Sequence, residues 1–222
     1  MNASAQAALK NSYFISLKII GKKKFITILG INLLMDKSQQ FNLKSSLYYG
    51  LPLLVIPPAV LVAILLLNNF YFLEYFHVIS GSAWTGMDLV MGLFFAFIMK
   101  GLNPLQRSEI SKRLIPVMLF FMPAISTATI MAGIYTAIDL GISFYNIYFI
   151  IVAILAVVLM IQGLLIFLPN ELRIFLEILR GGKNVEKIVR LTMFNLRLSL
   201  LQLIFQIVII LFMAIFAMGM AT

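Results

Sequence analysis

The chain has 222 residues, of which 62% are apolar and 11% charged, against about 45–50% and about 25% for a soluble domain. Too few polar side chains remain to cover a core of this size in water, so a soluble globular domain is excluded and lipid is the consistent solvent. With no Cys and a single His, disulfides, thiolate-held zinc, iron–sulfur clusters and His-cluster metal sites are excluded as well.

Residues 1–48 form a less apolar, Lys-rich lead. Within it, 25–35 is an apolar run behind Lys22, Lys23 and Lys24, too short to span and expected to lie as a helix on the inner leaflet. A signal peptide is not expected, because the basic run comes late and no small-residue cleavage site follows.

Residues 49–222 are expected to form an all-α integral membrane bundle of five transmembrane helices. A helix needs about 20 apolar residues to cross the hydrocarbon core, and five stretches qualify: 51–70, 75–99, 114–138, 145–168 and 198–221. They lack the strict alternation of barrel strands. Pro57 and Pro58 fall in the first turns of span one. Pro123 lies deeper in span three and should kink it.

The basic residues set the orientation. Seven Lys precede span one. Lys100, Arg107, Lys112 and Arg113 lie between spans two and three, and Arg173, Arg180, Lys183, Lys187, Arg190 and Arg197 between spans four and five. Together these are all 17 Lys and Arg. The two other loops, 68–74 and 139–144, carry none. By the positive-inside rule this places a multi-pass protein in the cell membrane with its amino terminus cytoplasmic and its carboxyl terminus outside. Tyr71, Tyr75, Tyr135, Tyr145 and Tyr148 cluster at the opposite boundary as an aromatic belt. The net charge of +9 is thus directed at anionic headgroups of the lipid bilayer, and no nucleic acid partner is implied. The loop after span four is expected to hold a surface helix, 170–179, with Asn170 as cap, Glu171 and Arg180 complementing its dipole, and Gly181-Gly182 ending it.

Span two carries the most informative stretch. His77, Gly81, Trp84, Asp88 and Met91 follow spacings of four, three, four and three, which put them on one helix face. An axial imidazole with a missing side chain one turn away is a sensible seat for a haem. Gly81 equally suits close helix packing, and an interfacial His needs no ligand. Asp88 is about 16 Å further along the helix than His77, near mid-membrane, where a carboxylate costs about 2.5–3.5 kcal/mol. It is expected to carry a proton or to bond to hydroxyls and amides. Candidate partners are Ser126, Thr127, Thr129, Gln162, Gln202 and Gln206. On span five, Asn195, Ser199, Gln202 and Gln206 form a second polar face expected to turn inward.

The pattern His77-x3-Gly81-x2-Trp84-x-Gly86 resembles one found in copper-resistance D-type proteins, HemJ-type protoporphyrinogen oxidases and the membrane part of a bacterial urate oxidase, with a looser echo between Pro123 and Gly133. The resemblance implies haem b bound in a helical bundle, with His77 as the metal ligand, Gly81, Trp84 and Asp88 lining the cofactor, and electron transfer or tetrapyrrole-linked redox chemistry with a redox partner. The basic residue that the HemJ-type enzymes carry inside a later span has no counterpart here. With one His, a sixth ligand would have to be Met131, Met213, Met218, Met220 or a small molecule. The alternative is a non-enzymatic transport or assembly subunit whose polar face binds an ion, copper included, or the helix of a membrane-subunit partner.

Overall fold

The computed structural model describes residues 43–218, and every element among them is helical. The short apolar run at 25–35 and Met220 lie outside the described residues. Five helices are long and apolar enough to span a membrane. They are α1 (Leu43–Leu67), α2 (Phe70–Lys100), α3 (Pro104–Asp139), α4 (Ile147–Leu179) and α5 (Val185–Ala217).

Three of the four joints are shorter than the hydropathy pattern predicts, because side chains cap the helices that follow them. Asn68 takes a positive φ of 48°, and the Asn69 side chain accepts from the Phe72 amide at 3.3 Å, so α2 starts at once instead of after a loop to residue 74. Asn103 and Gln106 form a reciprocal capping box at the head of α3, with bonds of 2.9 and 3.1 Å, and Pro104 occupies the first turn, where its missing N–H costs nothing. The α3 helix therefore begins ten residues before the predicted span. Similarly, α1 begins well before its predicted span, so Pro57 and Pro58 lie in its interior and not in its first turns.

Two helices contain a π-helical turn, α2 at Val90–Phe95 and α4 at Gly163–Phe167. The second one overturns the expected surface helix. Leu168–Leu179 continues α4 directly, and Asn170 is buried inside the bundle instead of capping a new helix. A π turn already breaks the regular hydrogen-bond ladder, so Pro169, which cannot donate, is absorbed just after it. The turn also resets the helix face. On a regular helix Asn170 would stand about 80° from Gln162, and absorbing one residue reduces this to about 20°. Chain reversal comes only at Gly181 and Gly182, with φ of 99° and 60°. Gly182 faces Lys112 of α3, so the two basic junctions meet at one end of the bundle.

Helices α2, α3 and α5 and the second half of α4 form the centre. The first half of α4 touches α3 at few places, and α1 lies outside, chiefly against α3. Leu61 of α1 joins Leu73, Phe76, Ala128 and Ala132 in an apolar cluster at the tyrosine-rich end. Trp84, Ile125 and Leu159 form a middle cluster, and Ala96, Met99 and Leu196 one at the basic end. On α2 the π turn keeps Asp88, Gly92 and Ala96 on the buried side. Gly92 meets α5 backbone to backbone: a Cβ there would stand 2.5 Å from the Leu200 amide nitrogen.

Candidate functional site

Between the middle cluster and the basic-end cluster lies a layer of buried polar side chains. Asp88 has no accessible surface and accepts from Gln206 Nε2 at 2.9 Å through its Oδ2, and the Ser199 hydroxyl lies beside the same carboxylate. The α5 stripe of Asn195, Ser199, Gln202 and Gln206 is buried throughout, so the polar face of span five turns inward and supplies the partner of Asp88. Helix α4 adds Asn170, whose Nδ2 donates to Asn195 Oδ1 at 3.1 Å, and Gln162, whose amide has no hydrogen-bond partner among the described residues.

Glu171, like Asn170, departs from the expected surface helix. It points inward at 6% exposure and borders a cavity that also reaches Ser199, beside Asp88. Neither carboxylate has an ion pair among the described residues. The ion pairs among the described residues, Lys112–Glu109 at 2.7 Å and Lys187–Glu177 at 3.1 Å, belong to the basic end. A signal for Glu171 did exist: Asn170 and Glu171 follow an uninterrupted apolar run and could be brought to the Gln162 face by one inserted residue. A proline in between masked it.

Small cavities reach Glu171 from two sides. One, of about 40 Å3, opens between α3 and α4 and includes Trp84, Ser126, Thr127 and Gln202. The other, of about 30 Å3, includes Thr192, Asn195 and Ser199. Cavities of this size hold two or three waters.

His77 belongs to a different contact. The buried line of α2 runs through Leu73, Phe76, Ser80, Trp84 and Asp88, and His77 and Gly81 flank it on the α3 side. His77 Nδ1 lies 3.0 Å from the Thr129 carbonyl oxygen. A carbonyl only accepts, so Nδ1 carries the hydrogen and Nε2 is left as the lone pair of the neutral ring. The ring rests on Gly133, where a Cβ would come within 2.6 Å of Cε1. Gly81 faces the Thr129 methyl at 3.4 Å from a built Cβ. The bare helix surface expected to seat a macrocycle is therefore covered by α3, and a haem does not fit on it in this packing. Ser126 and Thr129 bond within α3, to Pro123 and Ile125, and not to Asp88. Met131 and Met218 are exposed. Among the described residues no three His, Asp or Glu side chains gather as a metal site.

No protein-family model, curated protein or solved structure matches the chain.

Proposed function

We propose that this chain is a membrane transport protein in which Asp88 and Glu171 carry a proton through the middle of the bundle. The observation that carries the reading is two buried carboxylates, set between apolar layers without a basic partner among the described residues. A bare carboxylate at that depth is expensive, whereas a proton-bearing acid needs no cage of ligands. The unpartnered hydroxyl of Thr192 lines a cavity that reaches Glu171 and offers a station for water, and Gln206 holds Asp88 in place. A buried acid that served only to lock helices would need one partner and no second acid beside it.

Purified protein in liposomes should conduct protons under an imposed potassium diffusion potential, read by an enclosed pH dye. Asp88→Asn and Glu171→Gln should each lower the flux at least about tenfold while leaving the fold intact, since each keeps its side chain's shape. Wild-type flux no higher than that of empty liposomes, or full flux in both variants, overturns the proposal. A Soret band in the same preparation, lost in His77→Ala, would instead favour haem chemistry.

The orientation is part of the same reading, with the basic end cytoplasmic. The chain lacks Cys, so single cysteines can report it directly. Labels at Gln106 and Lys183 should be reached from the cytoplasm, and labels at Asn69 and Gly141 from outside. Gly141 and Lys183 labelled from the same side would remove the five-span topology.

A further inference from the structure

The cavity between α3 and α4 has a composition that the proton step does not need. Its walls are apolar: Met122 and Ile130 from α3, Leu159, Leu164 and Phe167 from α4. At its base stand Trp84, Glu171 and Gln202, which are 7%, 6% and 3% exposed. None of the three has a hydrogen bond or ion pair among the described residues. Polar groups in a cavity that have no protein partner are available to whatever fills it. Among the described residues no Lys or Arg lines the cavity. It opens where α3 and the first half of α4 scarcely touch, and Gly163 widens it, with nothing within 4 Å of a built Cβ.

We propose that this crevice binds a lipophilic cation, an amine or quaternary ammonium that dissolves in the membrane and enters between α3 and α4. The charged head would meet the Glu171 carboxylate and the Trp84 ring, whose face attracts cations. Gln202 would accept a hydrogen bond from an amine, and the hydrocarbon part would lie along the walls in the open mouth. Glu171 also borders the second cavity beside Asn195 and Ser199, so a bound cation competes with the proton on this carboxylate. That competition rests on the proposed proton step. The binding itself does not.

Trp84 is the only Trp in the chain and forms part of the crevice, so its fluorescence reports occupancy. The full chain in phosphatidylcholine nanodiscs is titrated, without any gradient, with dodecylpyridinium, a lipophilic cation that quenches Trp on contact. Quenching should saturate, and dodecyltrimethylammonium should relieve it while dodecanol and dodecyl sulfate do not. Glu171→Gln should weaken the saturable phase about tenfold. Gly163→Leu, which fills the crevice without touching a charge, should abolish it. Quenching that rises linearly and equally in wild type and both variants is simple partition into the bilayer and overturns the proposal. So does relief by dodecanol as effective as relief by the cation. Saturable binding with no proton flux overturns the transport reading alone, and proton flux with linear quenching overturns the cation site alone.

Discussion

Gly92→Ala should lower the thermal stability of the purified protein more than any other Gly→Ala change in α2. The new methyl would stand 2.5 Å from the Leu200 nitrogen and 2.8 Å from its Cα. Both are backbone atoms, so no rotamer relieves the clash, and α2 and α5 must move apart. Overpacking of this kind costs about 1–3 kcal/mol, more than the roughly 0.5–1 kcal/mol that Ala gains over Gly in a helix. Separating these helices also pulls Asp88 away from Gln206, so proton flux should fall with stability. Gly86→Ala, which meets nothing within 4 Å, is the control and should be neutral or stabilising. Equal melting temperatures for the two variants would show that α2 and α5 do not meet at Gly92.

Asp88→Leu should destabilise the bundle where Asp88→Asn does not. Interhelical hydrogen bonds in membranes average only about 0.6 kcal/mol, so losing the bond itself would have little effect. An amide left buried without its partner costs about 1–3 kcal/mol, and Gln206 has no other partner for its Nε2 among the described residues. The Asn variant keeps an oxygen to accept from Gln206, and the double variant Asp88→Leu with Gln206→Leu removes both polar ends. Resistance to unfolding in detergent should therefore rank wild type and Asn together, the double variant next and the Leu single variant last. A Leu variant as stable as the Asn variant would sink the paired, interior placement of Asp88.

These two contacts differ in how far the sequence reveals them. Asp88 and the α5 stripe were legible because polar residues at helical spacing inside apolar runs leave little choice but an inward face. The five spans were legible for a similar reason, since length and the alternation of basic loops depend on bulk transfer energies. The Gly92 contact was not, because a glycine in a membrane helix reads the same whether a neighbouring backbone touches it or lipid does. Glu171 was hidden by a local rule applied one step too far. Pro169 does break an ordinary α-helix, but a π turn immediately before it supplies the slack that lets the chain continue. His77 was legible as an unusual residue but not as a contact, because its partner is a backbone carbonyl 52 residues away, which no side-chain pattern encodes.

The hydrogen bond from Gln206 to Asp88 joins residues 118 positions apart. At about 5–20 residues per second of synthesis, α2 waits roughly 6–24 s for α5 to be made. During that interval the chain holds a membrane helix with an acid at its middle and no partner for it. A chain cut short before α5 would keep that acid without Gln206 and Ser199, the partners that the last helix brings to it.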